Sequence, residues 1–344
     1  MPSRSRKNKY ERYSLERSPF SQNPTQRDLA NLLGMSRDEL RRNASYKEQC
    51  IIRRIETING KNRKLAYPVG PLRTIHEKLK FHLNKVKQPN YLFCPRKGRG
   101  QRDNAKYHIG NKQYLTLDLK QFYPSTTFAM IKSWLRDELG MYEDVAGLFA
   151  TLATVDNIAS FGSPLTPVLV SLVHRKLFNE IALECEKRDL TYSVWVDDLT
   201  ISGNFVTGEF LTEIRSIIAN YGLKSHKVLF RCGNRPVFIT GIGVVGRHLV
   251  APKPLHLRIK KLWDEYYSAH TSEEKESATQ KLLSQLGTLR HITGANSETG
   301  RKAADTMNSL RLKRDKWRRI ALESQSKAET LLFEVDGSEP LPWE

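Results

Sequence analysis

The segment Tyr192-Ser193-Val194-Trp195-Val196-Asp197-Asp198-Leu199-Thr200-Ile201-Ser202-Gly203 constrains this chain more than any other. β-Branched and aromatic residues run up to two adjacent carboxylates, and β-formers resume at once. That pattern predicts strand, tight turn, strand. Two like charges side by side in a short turn between apolar strands repel each other. A divalent cation is the natural counter-charge to hold them there.

Tyr114–Leu119 predicts a second strand with one embedded acid, Asp118. By itself Asp118 reads as a strand-end acid that meets solvent. Taken with Asp197 and Asp198, it means that two strand segments deliver three carboxylates to one sheet. Two Mg²⁺ ions about 4 Å apart need several such oxygen ligands. One ion would activate an attacking hydroxyl and the other would neutralise a leaving pyrophosphate. Phosphoryl transfer depends on positioning and electrostatics more than on covalent chemistry by the protein. No Ser–His or Cys–His arrangement competes with the carboxylates.

The net charge of +19 and the pI of 9.8 point to a polyanionic partner, most often nucleic acid. Charge alone is equally compatible with a ribosomal-type or chromatin-type binder that does no chemistry. Basic residues fill the first hundred positions and recur near the C-terminus, and the carboxylate-bearing middle is less basic. A positive groove around a metal-binding centre gives that distribution. The four cysteines, Cys50, Cys94, Cys185 and Cys232, are dispersed without a C-x-x-C pair. This excludes a disulfide framework and a zinc knuckle and fits reduced thiols in a cytosolic protein. No apolar stretch approaches the ~20 residues that span a bilayer. The basic N-terminus lacks the apolar core of a signal peptide. A cytoplasmic protein without membrane contact is expected.

Residues 1–24 are polar and basic and are expected to form a loose arm. Leu29, Leu32, Leu33 and Leu40 predict helix over 25–47, with Thr25 or Ser36 as caps and Gly34 in a turn. Asn59-Gly60 predicts a hairpin over 50–68. Leu72, Ile75, Leu79 and Leu83 predict a helix from Pro71 to Val86. Residues 88–113 are expected to be loop-rich and basic, with Arg96, Lys97, Arg99 and Arg102. Helices are expected from Pro124 to Leu139, from Val168 to Lys187 and from Gly208 to Tyr221. β-segments are expected near 227–232 and 237–245, and helix beyond Pro254. The order implies an α+β fold with helices on one face of a mainly antiparallel sheet.

These residues together resemble the reverse transcriptases. Leu117-Asp118-Leu119-Lys120-Gln121-Phe122-Tyr123-Pro124-Ser125 is similar to the first catalytic motif of that family. Gly162-Ser163-Pro164-Leu165-Thr166-Pro167 is similar to its Gly-x-Pro-x-Ser/Thr-Pro motif, and Trp195-Val196-Asp197-Asp198 to its Tyr-x-Asp-Asp box. Asn59–Pro68 looks like its fingers hairpin. The four motifs stand in the family's order over residues 55–245. Asn104-Ala105-Lys106-Tyr107-His108 and Ile239-Thr240-Gly241 resemble two elements of the bacterial retron enzymes.

The resemblance implies a right-hand polymerase. A basic arm (1–24) would precede fingers and N-terminal helices (25–113). A palm with an antiparallel sheet and the Asp triad (114–250) and a basic helical thumb with a tail (251–344) would follow. It implies that Asp118, Asp197 and Asp198, with the Leu119 carbonyl, hold two Mg²⁺ ions, Mn²⁺ being the alternative. Lys61 and Arg63 would hold the triphosphate of a deoxynucleotide. Tyr123 would lie under the sugar and exclude a 2′-hydroxyl, and Gly162 and Pro164 would shape the nucleotide loop. Asn104 and His108 would contact structured RNA, and Arg311, Arg314, Lys316 and Arg318 would grip duplex phosphates, with Trp317 packing or stacking. The chain departs from the family at Trp195, which replaces Tyr, and at Phe161, which replaces Gln. Where the family carries Asn and then a Lys thought to protonate pyrophosphate, it reads Lys224-Ser225-His226-Lys227. Lys227 is the first candidate for that role and Lys224 the second.

The partners implied are a structured non-coding RNA and its branched, RNA-linked single-stranded DNA product. A separately encoded effector in anti-phage defence and an oligomer formed through the nucleoprotein complex are implied as well. The alternatives are a group II intron-type or abortive-infection-type polymerase and a non-catalytic RNA-binding scaffold. Three uncompensated carboxylates argue against the scaffold.

Overall fold

A computed structural model describes residues 11–58, 60–232 and 235–335. Asn59 of the expected hairpin turn and the first ten residues of the expected arm lie outside them, as do the side chains of Lys61 and Trp317. The chain forms two compact units, Met1–Gly100 with Asn111–Gly233 and Gln101–Gly110 with Asn234–Glu344.

Residues 11–24 are packed, not loose as their composition suggested. Tyr13 bridges to Val86, with its N–H donating to the Lys85 carbonyl at 3.1 Å. Phe20 is fully buried and meets the Phe149 ring edge-on at 5.8 Å. One aromatic anchor of this size outweighs the polar residues around it. Helices α1 (Gln26–Leu32) and α2 (Arg37–Ser45) turn at Gly34, whose φ of +60° suits glycine. Thr25 and Ser36 close capping boxes with Asp28 and Glu39. Strands β1 (Ile51–Ile58) and β2 (Lys61–Pro68) form the expected antiparallel hairpin. Helix α3 (Gly70–Leu83) buries Leu72, Ile75, Leu79 and Leu83 on one face.

The stretch 88–113, expected to be loop-rich, also holds strand β3 (Leu92–Cys94) and helix α4 (Gln101–Tyr107). Strand β4 (Gln113–Leu119) follows. The helix expected from Pro124 is two, α5 (Phe122–Ser125) and α6 (Phe128–Asp137). Helix α7 (Glu143–Ala153) was not expected; six of its residues are buried, so it carries little amphipathic signal. The next helix is also two, α8 (Thr166–Val173) and α9 (Arg175–Glu186), broken at His174. Strands β5 (Thr191–Trp195) and β6 (Asp198–Gly203), helix α10 (Gly208–Asn220) and strand β7 (Ser225–Cys232) complete this unit.

Its five-stranded sheet runs β3-β5-β6-β4-β7. Only β3 is parallel to its neighbour, so the sheet is mainly antiparallel and the fold mixes helices with sheets. Register sorts the two faces. Val194, Leu199 and Leu117 stand in one row, and Tyr192, Ile201 and Leu115 in the next, all on the apolar face. The opposite face carries the row Ser193, Thr200, Thr116 and the row Trp195, Asp198, Asp118.

In the second unit, α4 packs on a three-stranded antiparallel sheet of β8 (Val237–Ile239), β9 (Ile242–Val245) and β10 (His248–Val250). These strands group with the C-terminal helices and not with the acid-bearing sheet. Helices α11 (Lys253–Ser268), α12 (Ser272–Thr293) and α13 (Glu298–Val335) follow, with α12 packed against both others. Among the described residues no helix is long and apolar enough to cross a membrane.

Candidate active site

The pairing of β4 with β6 sets Asp118 directly opposite Asp198, and the pairing of β4 with β7 sets it opposite His226. Trp195, Asp198, Asp118 and His226 therefore form one row across four strands on one face. Directly opposite like charges destabilise a sheet. Asp197 adds a third carboxylate from the β5–β6 turn, where Val196 takes φ +59°. That conformation is unfavourable for a β-branched residue and costs about 1–3 kcal/mol. Neighbouring strands hold the turn on both sides. The Val196 N–H donates to the Cys94 carbonyl at 3.0 Å, and the Leu119 N–H donates to the Asp197 carbonyl at 2.8 Å.

Asp118 is the acid with counter-charges. The β4–β7 register slips between Thr116 and Asp118, so Lys227 and Val228 together face Leu117. This is a β-bulge, and Lys227 sits in it at φ +51°. The Lys227 ammonium donates to Asp118 Oδ2. His226 Nδ1, buried and without a hydrogen bond of good geometry, lies 3.2 Å from Asp118 Oδ1. The bond to Asp118 raises the Lys227 pKa, so this side chain is a firmly held cation.

Among the described residues neither Asp197 nor Asp198 forms an ion pair. Loss of solvation, and then the charge of Asp118, push the Asp197 carboxyl up; Lys227 and Arg63 only partly offset this. The Asp198 carboxyl is pushed up to about 6, by loss of solvation first and by Asp197 and Asp118 next. Asp198 nonetheless keeps access to solvent.

The β1–β2 hairpin brings Arg63 to the same place. Its guanidinium lies over the Phe161 ring, 5.0 Å from the centroid, and Tyr123 meets the other neighbour of that stack at 5.0 Å between the Phe161 and Tyr123 ring centres. Burial, followed by the Asp197 charge, drives the Tyr123 phenol upward, so it stays protonated. Gly162 has φ +99°, and a Cβ there would lie 2.9 Å from the Ala66 carbonyl oxygen, so glycine is required. The Ala66 N–H donates to the Phe161 carbonyl at 2.8 Å and ties this loop to β2. Pro164 is half-buried in the same loop. Behind it, the Leu165 N–H donates to Ser163 Oγ at 3.1 Å. The Ser163 hydroxyl and His76 Nδ1 are 2.8 Å apart, and His76 Nε2 is 2.7 Å from the Leu152 carbonyl, to which it donates.

One set of expected residues is thus brought together: Asp118, Asp197, Asp198, Arg63, Tyr123, Gly162 and Lys227. Lys61 opens β2, but its side chain lies outside the described residues. The Leu119 side chain is buried in the core, and Lys224 gives its carbonyl to the Lys120 N–H at 2.7 Å. Asn104 and His108 require correction as an RNA-contacting surface. They are 1% and 0% exposed, in and just after α4, and burial pushes the His108 imidazole down to about 3. An apolar-facing side of that helix, which spacing alone did not reveal, carries them inward. Arg311, Lys316 and Arg318 are exposed on α13, and Arg314 is half-buried. Arg318 is paired with Glu276, and Arg314 with Asp315 at 3.2 Å. Sequence reasoning missed His226 and Cys94. The apolar run Leu92-Phe93-Cys94 between Pro89 and Pro95 was the available signal for the latter.

The donor set suits a hard divalent cation: three carboxylates, two of them with excess negative charge, and a lysine already drawn onto the third. Among the described residues, however, no group of three or more His, Cys, Asp or Glu side chains is arranged to hold a metal ion.

No protein-family profile matches the chain. The retron Mx65 reverse transcriptase of Myxococcus xanthus is 29% identical over 223 residues, covering 57% of this chain and 51% of the relative. The retron Ec48 reverse transcriptase of Escherichia coli is 21% identical over 334 residues, 89% of this chain and 81% of the relative. The chain is similar to the retron reverse transcriptases. A third such enzyme, retron Ec86 reverse transcriptase of Escherichia coli, is 29% identical over 154 residues, covering 44% of this chain and 45% of its own. The chain thus spans about half the length of the first and third of these retron enzymes and most of the second. Among solved structures, telomerase from Candida albicans in complex with a fragment of telomeric RNA aligns at a TM-score of 0.47 and 9% identity, over 80% of this chain and 66% of that one. That likeness is too slight to argue from.

Proposed function

We propose that the chain is a retron-type RNA-directed DNA polymerase with its active site on the acidic row. The observation that carries this reading is the register that sets Asp118 opposite Asp198 with Asp197 in the adjoining turn. In this reading the five-stranded sheet is the palm, the β1–β2 hairpin belongs to the fingers, and α11–α13 form a thumb whose Arg311, Arg314, Lys316 and Arg318 meet duplex phosphates. Asp118, Asp197, Asp198 and the Leu119 carbonyl would hold Mg²⁺ or Mn²⁺. The metal pair supplies charge neutralisation at the attacking and leaving oxygens. Arg63, preorganised on Phe161, binds the triphosphate together with Lys61. Tyr123 closes the space beneath the sugar against a 2′-hydroxyl, and Gly162 and Pro164 let the loop approach the base pair. Lys227, a held cation beside Asp118, would give a proton to the departing pyrophosphate.

The substrate proposed is a structured non-coding RNA, part of which becomes branched, RNA-linked single-stranded DNA. A separately encoded effector and a role in anti-phage defence complete the proposal, which places the protein in the bacterial cytoplasm. Kinship to retron enzymes and the excess of 19 positive charges support the RNA. The experiment is to purify the protein from its native locus and sequence its bound nucleic acid. Single-stranded DNA joined to RNA through a 2′ linkage is expected. RNA without DNA would sink the polymerase reading and favour a scaffold.

A further inference from the structure

A basic cluster beside the acidic turn has no role in the account above. Between Glu77 and Asp103 the chain carries eight Lys or Arg and no acid. The fold brings part of this run to the turn. Cys94 stands opposite Trp195 in the β3–β5 pair, and its carbonyl accepts the Val196 N–H at 3.0 Å. Arg96 is two residues further on, within about 7 Å of chain. A tight turn joins Arg96 to Arg99, with the Arg99 N–H donating to the Arg96 carbonyl at 3.4 Å.

Both guanidiniums are held. Arg96 Nη1 donates to the Pro89 carbonyl at 2.9 Å, and Arg99 lies over the Phe93 ring at 5.1 Å. Arg12 joins them from the packed N-terminal segment, where Tyr13 is bonded to Lys85 and Lys87. Burial first, and then the charges of Arg99 and Arg12, lower the Arg96 pKa. Among the described residues no carboxylate forms an ion pair with any of the three. Three arginines gathered without an acid repel one another, and a phosphate chain relieves that repulsion.

We propose that Arg12, Arg96 and Arg99 form a phosphate-backbone site that grips a nucleic-acid strand as it passes the Asp197–Asp198 turn. The polymerase reading supplies the reason for a strand to be there; the cluster itself does not depend on it. Arg suits the task because its planar fork meets two phosphate oxygens at once. Single strands offer a charge about every 3.4 Å, so three arginines can engage consecutive phosphates.

The test compares Arg12→Gln/Arg99→Gln with Lys176→Gln/Lys187→Gln, which removes the same charge from ion-paired sites elsewhere on the unit. Arg96 is left intact because it supports the Pro89 carbonyl. Fluorescence anisotropy over a salt series measures the affinity of the full-length protein for single-stranded RNA, single-stranded DNA and an RNA–DNA hybrid. The arginine pair is expected to weaken binding at least tenfold more than the lysine pair and to lower the salt slope by about 1.5. The strand with the larger loss is the one gripped. Equal affinities and slopes for the two variants would overturn the proposal. So would full competition by inorganic pyrophosphate at equimolar strand, which would mark a small-anion pocket. Binding is read without synthesis, so an inactive wild-type protein would sink the polymerase reading while leaving this comparison intact.

Discussion

The acidic row and the His76 node are two polar clusters in the same unit, built on opposite terms. His76 is buried and its ring is fully bonded: Ser163 faces one nitrogen and the Leu152 carbonyl the other. Burial pushes its pKa down to about 4, so it is a neutral imidazole and completes a network without charge. His174 follows the same rule, with Nε2 2.9 Å from Thr126 Oγ1 and a pKa pushed down to about 4 by burial. The acidic row breaks it. Two carboxylates share one face and a third stands in the adjoining turn, two of the three have no ion-paired cation among the described residues, and a valine is held in a left-handed turn to present them. Polar groups kept for structure are satisfied. Groups kept for chemistry are left with a surplus, and stability is given up to keep them so.

The comparison breaks most readily at the acids. Asp118→Asn is expected to reduce RNA-templated DNA synthesis to background, a loss on the order of a thousandfold or more. Asp198→Asn should lose activity as severely and yet melt no lower than wild type, because it removes repulsion. A lower melting temperature for Asp198→Asn would mean that the row is structural. Lys227→Gln comes next, with kcat down about a hundredfold and the KM for deoxynucleotide little changed. A raised KM with normal kcat would assign Lys227 to binding.

At the other cluster the effect falls on stability. His76→Leu strands the Ser163 hydroxyl and the Leu152 carbonyl and is expected to cost about 2–4 kcal/mol in denaturant unfolding. A cost under about 0.5 kcal/mol would show that the node is dispensable.

The smallest effect is a pH slope. His76 and His174 have folded pKa values of about 4, below the ordinary 6.5, so the unfolded chain binds more protons between them. Their contribution is complete above pH 6.5 and is lost as pH falls toward 4. Asp198 acts in the opposite sense, because its folded pKa of about 6 lies above its unfolded value. Its protonated form favours the folded chain below about pH 4, and that advantage is lost as pH rises to 6. Two histidines outweigh one partly solvated acid, so net stability should fall on acidification through this window. Asp198→Asn should make the fall steeper, and a shallower fall would contradict the assignment of opposite signs.

Much of this contrast was legible in the sequence where it rests on local rules. The strands around Asp118 and Asp197–Asp198 follow from runs of β-formers, the caps from the residue types of Thr25 and Ser36, and the α3 face from Leu72, Ile75, Leu79 and Leu83. What stayed hidden depends on distant pairing. Strand β3 has three residues and exists only because β5 accepts it. The Lys227 bulge is a register slip against β4, invisible in the residues around it. The Arg63–Phe161–Tyr123 stack joins three segments about 40 to 60 residues apart. His76 went unremarked in the sequence, because its partners come from α7 and the Gly162 loop. Asn104 and His108 were read as an RNA-contacting surface from the resemblance of their segment to a retron element, yet both are buried in and just after α4.

The most direct measurement is thermal unfolding of the wild-type protein and of Asp197→Asn, each with and without Mg²⁺ or Mn²⁺ and free of nucleic acid. A ligand that binds only the folded state stabilises it by about 2.7 kcal/mol at a hundred times its Kd. The account predicts a divalent-dependent rise in melting temperature for wild type that is largely lost in Asp197→Asn. An equal rise in both proteins, or none in wild type, would contradict the claim that the acidic row is a divalent-cation centre.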